Sequence, residues 1–264
     1  MGATSFSINA PPPLAAICLP DMNNKSSVLT PTGHPTRTLA DAHFANAALA
    51  RLRAGRLPLW LKVAYTAFMA VLIPVYWSHY GPTNFLYFCD VALLLTLAAV
   101  WLESPLLASI PAVGILMPQM FWCLDFAAHL VGLNLTGMTN YMFDGQRPLF
   151  LRGLSLFHGW LPFMLIFLVA RLGYDRRAGK AWLLTAWALM LICFFLLPMP
   201  GSLPAGSISP VNVNYVYGMS DAAPQSWMPT WAWLAVLMTG LPLLAWLPTH
   251  FVLKKFCRPA SGLA

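Results

Sequence analysis

Six apolar stretches dominate the chain, at residues 57–77, 84–102, 106–132, 149–170, 181–198 and 229–252. Each is near the roughly 20 residues that a helix needs to cross a bilayer. None alternates apolar and polar positions with a period of two, so membrane-spanning strands are excluded. The pattern predicts an all-α polytopic membrane protein with six transmembrane helices. Prolines fall inside the third stretch, at Pro111 and Pro118, and inside the fourth, at Pro162. A proline removes the hydrogen bond to the carbonyl four residues back and bends the helix. The third and fourth helices are therefore expected to be kinked, with the carbonyls of Gly114 and His158 released. Irregular backbone at this depth is tolerated where it faces protein or a wet cavity.

The segments between and around these stretches are polar. Residues 1–43 carry Pro11-Pro12-Pro13 and Pro31-Thr32-Gly33 and are rich in Ser, Thr and Asn. Such a tail cannot bury enough apolar surface to order itself, and it lacks the basic start and unbroken apolar run of a signal peptide. Residues 44–56 read as a basic amphipathic lead-in ending in Arg51, Arg53 and Arg56, suited to an anionic membrane face. The loop 199–228 is long, proline-rich and free of Lys and Arg, and residues 253–264 form a short tail.

Composition agrees with the pattern. Of 264 residues, 59% are hydrophobic and 9% charged, with a mean hydropathy of +0.66, far from the ~25% charged share of soluble domains. The net charge of +7 would suggest a nucleic-acid partner in a soluble protein. Here the distribution gives another reading, and no nucleic-acid partner is expected. Arg51, Arg53, Arg56, Lys62, Arg171, Arg176, Arg177, Lys180, Lys254, Lys255 and Arg258 all fall on the side of the termini, whereas only Arg147 and Arg152 fall on the other. This bias predicts that both termini are cytoplasmic, in an inner or plasma membrane. Trp60, Trp77, Trp101, Trp182, Trp227, Trp231 and Trp246 lie near span ends, as an aromatic belt requires. The five cysteines form no CxxC pair, and Cys89, Cys123 and Cys193 lie within apolar segments, so no disulfide framework is expected.

Polar chemistry inside apolar spans is costly and marks candidate sites. Cys89 and Asp90 stand side by side near the start of the second span, Asp125 and His129 in the third, and His158 in the fourth. Counting 1.5 Å per residue from the outer span ends puts Asp90 about 9 Å deep, His158 about 13 Å, Asp125 about 11 Å and His129 about 5 Å. All four converge on the outer half of the bundle, where the loop bearing Asn212, Asn214, Tyr215 and Tyr217 can cap them. Asp125 and His129, spaced i and i+4, share a helix face and are within reach of a mutual hydrogen bond. That pair reads either as part of a site or as glue between helices, and His158 carries the same two readings. Cys123 and Cys193 read as small hydrophobes, and His79 and His250 as interfacial. Cys89, His129 and His158 with a carboxylate would also satisfy a tetrahedral metal, but no closely spaced ligand pair is present, so neither metal nor organic cofactor is expected.

Four short motifs carry a family resemblance. Phe88-Cys89-Asp90-Val91-Ala92-Leu93 is similar to the H-L-C-(D/N)-x-x-x opening of the second span in the YwaF-type six-helix integral membrane proteins. Phe157-His158-Gly159 resembles that family's S-H-G, and Asn212-Val213-Asn214-Tyr215-Val216-Tyr217 its G-T-N-Y-M-Y. Trp227-Met228-Pro229-Thr230-Trp231-Ala232-Trp233 fits the aromatic opening of its last span. Order and spacing agree over residues 57–252. Tyr87 stands where the family carries a His two residues before the Cys, and Asn212-Val213 replaces its Gly-Thr. Distant relatives of the superfamily are the androgen-induced-gene membrane hydrolases and a eukaryotic ether-phospholipid acyltransferase, working through Thr–His and Cys–His pairs. The resemblance thus implies Cys89 as nucleophile and His158 as base.

The expected function is an intramembrane acyl-lipid hydrolase or acyltransferase, with membrane lipid as both solvent and substrate. Only a thiolate is a good nucleophile, so Cys89 needs a base, and Asp90 or the Asp125–His129 pair would orient that base. Asn212 and Asn214 would donate to an oxyanion, with Tyr215 beside them. A proton-coupled transporter using the same buried groups is the rival, although no internal repeat pairs the first three spans with the last three. A scaffold whose polar groups are structural is the third reading.

Overall fold

The computed structural model describes residues 57–204 and 209–260. The expected tail 1–43 and lead-in 44–56 lie outside the described residues. Six apolar helices follow one another: α1 (Leu59–Tyr80), α2 (Phe88–Leu102), α3 (Pro105–Leu130), α4 (Leu149–Leu172), α5 (Ala178–Leu196) and α6 (Thr230–Phe256). All but α2 are long and apolar enough to cross a membrane, and α2 is an apolar helix of 15 residues. The described residues contain no strand. The chain is an all-α polytopic membrane protein.

The second span is shorter than the hydropathy pattern suggests. Residues Pro82–Leu86 form a 3-10 turn, and Tyr87 is extended (φ −61°, ψ 140°), so α2 begins only at Phe88. Pro82 opens the turn with a ring that lacks an N–H. At 1.5 Å per residue α2 is about 22 Å long, short of a ~30 Å hydrocarbon core. At its other end Glu103 adopts the left-handed conformation (φ 47°). Ser104 then caps α3 by accepting from the Leu107 N–H at 3.3 Å, with Pro105 in the first turn. Glu103 also receives Lys62 Nζ at 2.7 Å, which ties this hairpin to α1.

Helix α3 is the centre of the bundle. Its most apolar window is 61% buried, against 17–44% for the other four long helices. It packs against α2, α4, α5 and the C-terminal half of α6. Small residues permit this: Ala108, Ser109 and Ala112 are fully buried, and a Cβ on Gly114 would fall 2.0 Å from the Trp182 ring. Trp182 in turn meets Phe88 and Trp246 edge-on, at centroid distances of 5.7 and 6.1 Å.

The prolines act differently from simple kinks. Helix α3 remains continuous through Pro111 and Pro118. Helix α4 is interrupted at Leu156, six residues before Pro162, where the Leu156 N–H turns to the carbonyls of Gly153 and Leu154. Helix α6 relaxes into a π-turn over Pro242–Trp246, and it continues to Phe256, so the segment expected as tail from residue 253 begins as helix. No breaker stands in Val252-Leu253-Lys254-Lys255, Leu253 is buried, and two lysines suit the negative end of the helix dipole.

Candidate thiol–carboxylate site

The first turn of α2 is where the polar residues gather. Because the helix starts at Phe88, Asp90 lies in its first turn, about 3 Å along the helix at 1.5 Å per residue, rather than deep in the span. Asp90 is 3% exposed. Its Oδ2 accepts from the Asn84 amide at 3.1 Å and lies 4.0 Å from the Cys89 Sγ, while its Oδ1 is buried and receives no donor from the described residues. The loop after α5 clamps this turn. Asn214, held in the left-handed conformation (φ 60°), accepts from the Phe88 N–H at 3.0 Å and donates to the Leu86 carbonyl at 2.9 Å. The adjoining Tyr215 carbonyl accepts from the Trp233 indole at 2.8 Å.

Buried hydroxyls join α1 to α4, starting from Tyr76 of α1. Its hydroxyl meets Ser155 Oγ at 2.9 Å, and since Ser155 donates its one proton to the Leu151 carbonyl, Tyr76 is the donor. Tyr141, on a one-turn helix before α4, takes the Trp122 N–H at 3.1 Å. Burial holds the phenol of Tyr141 above its usual range, so it stays protonated and able to donate.

His158 packs among aromatic rings. Its ring meets Trp122 and Phe157 edge-on, at 5.2 and 4.1 Å, and its Nδ1 is buried with no partner among the described residues. No hydrogen bond joins it to Cys89. The carbonyl of His158, freed by Pro162, is taken by the Cys123 thiol at 3.7 Å. Cys123 is thus a donor as well as a small hydrophobe.

Two expectations require correction. Asp125 and His129 do not pair. The turn after α3 folds back, using glycines at Gly132 and Gly137 with φ of 83° and 76°, and carries Thr136 and Thr139 onto the Asp125 carboxylate. Each threonine donates its N–H and its hydroxyl, at 2.7–2.9 Å. His129 instead stacks on Phe143 at 3.9 Å. The amides of Asn212 and Asn214 are not open for an oxyanion either. Asn212 donates to the carbonyls of Gly218 and Ser220 and accepts from the Tyr217 N–H, which folds its own loop, and Asn214 is committed to α2.

Asn84 belongs to the site, and its one signal in the sequence is a lone amide at the mouth of an apolar run. Among the described residues no three His, Cys, Asp or Glu side chains gather as a metal cluster. No family model, curated protein or solved structure matches the chain.

Proposed function

We propose that this membrane protein is a thiol-dependent acyl-lipid hydrolase or acyltransferase of the YwaF-type family, with Cys89 as nucleophile and Asp90 as the acceptor of its proton. The observation that carries this reading is the contact between Cys89 and Asp90 in the first turn of α2, with Asn84 fixing the carboxylate. The Cys89 sulfur attacks the ester carbonyl carbon while its proton passes to Asp90. The tetrahedral adduct collapses, the ester C–O bond breaks, and Asp90 returns the proton to the leaving alkoxide. Water or a lipid hydroxyl then attacks the thioester and Asp90 takes that proton; as the C–S bond breaks, Asp90 passes it to the departing sulfur, which restores the thiol and the carboxylate. The first turn of α2 contributes the positive end of its dipole to the thiolate and to the oxyanion. The eleven-to-two division of Lys and Arg supports cytoplasmic termini and a site facing the outer leaflet.

The test is turnover of a fluorogenic acyl ester by the purified full chain. Cys89→Ala and Asp90→Asn should each abolish it, because a nucleophile and its base act as a unit. Cys123→Ala and Cys193→Ala should retain it. One observation favours a second reading: the buried, donor-free Oδ1 of Asp90 suits a proton-coupled carrier. Proton-linked transport lost in Asp90→Asn but intact in Cys89→Ala would select the carrier.

A further inference from the structure

We propose that the face built from the α4–α5 turn and the C-terminal end of α6 binds the phosphate of anionic phospholipid headgroups in the adjoining leaflet. Two stretches far apart in sequence form it, and the backbone locks them together. The Tyr174 N–H donates to the Arg258 carbonyl at 2.7 Å, and the Ala260 N–H donates to the Tyr174 carbonyl at 3.1 Å. The Tyr174 hydroxyl meets His250 Nδ1 at 2.6 Å, and His250 packs on Gly179, where a Cβ would come within 2.7 Å of it. The start of α5 and the end of α6 are therefore in direct contact.

This arrangement gathers Arg171, Arg176, Lys180, Lys254, Lys255 and Arg258, all exposed. The local carboxylate, Asp175, is 2% exposed and is already gripped by Arg177 through Nε at 3.1 Å and Nη2 at 2.8 Å. Arg177 holds the Asp175 carboxyl below the usual carboxylate range, so the pair stays ionised and self-neutral. None of the six remaining cations forms a salt bridge among the described residues. Like charges held together without counter-charge call for an anion.

The surroundings identify that anion as a lipid. Immediately along the same helices lie exposed Phe167, Leu184, Phe251 and Phe256, the last 75% exposed. These are flanks that acyl chains cover. Lys255 extends over the Phe256 ring at 5.4 Å, with an apolar stem below and a charged head beyond it. Cations at the rim of an acyl-covered flank meet the phosphodiester plane, and arginine suits its paired oxygens.

The test uses the full chain in phosphatidylcholine vesicles containing spin-labelled phosphatidylglycerol or spin-labelled phosphatidylcholine. The protein-restricted fraction of each label gives their relative association. Phosphatidylglycerol should associate more strongly, by about fivefold for each cation engaged. The triple variant Lys254→Gln, Lys255→Gln, Arg258→Gln should cut the preference by about fivefold for each of these cations that engages the lipid, and the Lys254→Arg, Lys255→Arg variant should keep the preference, which separates charge from folding. Equal association with the unmodified chain, or a preference unchanged in the glutamine variant, would overturn the proposal. Loss of the preference on adding millimolar glycerophosphoglycerol would assign the face to a soluble phosphate instead, and would overturn the lipid assignment.

Discussion

Asp90 and Asp125 are both 3% exposed, yet their surroundings give them opposite roles. Asp125 is saturated by four donors from Thr136 and Thr139, as a carboxylate that holds a turn in place should be. Asp90 has one amide and one thiol for company and an oxygen left open, which suits a group that exchanges a proton. Hydrogen bonds to a charged group contribute about 1.5–3 kcal/mol each and are not additive. Asp125→Ala should therefore lower unfolding stability by about 2–4 kcal/mol, read as a shift in the thermal melt in detergent, while thiol labelling at Cys89 persists. An Asp125 variant that melts normally but loses labelling would move Asp125 into the site. The sequence exposed both acids as costly, since charge inside an apolar run is visible there. It could not separate them, because the donors to Asp125 come from beyond the helix end, around a glycine-reversed turn. The i, i+4 spacing to His129 was a real proximity that a better partner, Phe143, resolved otherwise.

At the scale of the elements, proline explains more than helix shape. A proline inside a helix releases the carbonyl four residues back, and at Pro242 and Pro162 a neighbouring helix supplies the donor. The Met238 carbonyl freed by Pro242 accepts the Trp187 indole of α5 at 2.9 Å, and the His158 carbonyl freed by Pro162 accepts Cys123 of α3. These two prolines therefore join helices. Trp187→Phe should cost about 1 kcal/mol of hydrogen bonding beyond its change in packing. In a Pro242→Ala background, where the helix can satisfy Met238 itself, most of that increment should vanish. Additive effects in the double-mutant cycle would show that the two residues do not cooperate. The prolines and the carbonyls they free were legible in the sequence, but their donors were not, because helix order does not give helix rotation. The start of α2 departs from the hydropathy pattern for a related reason. Hydropathy runs on through Phe85 and Leu86, whereas the Pro82 turn and the extended Tyr87 delay the helix to Phe88.

For the whole molecule, six apolar runs were enough to give an all-α membrane bundle, since burial in lipid forces closed backbone hydrogen bonding. The centrality of α3 was not legible, because its Ala and Gly content does not exceed that of α5. The segment after α5 was legible as a cap but not as a plug, with Val213 and Val216 fully buried and Asn214 fastened to the start of α2. The Lys and Arg bias predicts that reporters fused after Ala264 and inserted near Ser220 give opposite signals. Matching signals would remove the six-crossing topology. The central claim is that Cys89 forms an acyl intermediate, and intact-mass analysis with peptide mapping after exposure to an acyl-lipid ester tests it most directly. The predicted result is a hydroxylamine-labile acyl mass on the Cys89 peptide, absent in Asp90→Asn and unchanged in Cys123→Ala. An unmodified Cys89 peptide in a chain that is turning over the ester would contradict it.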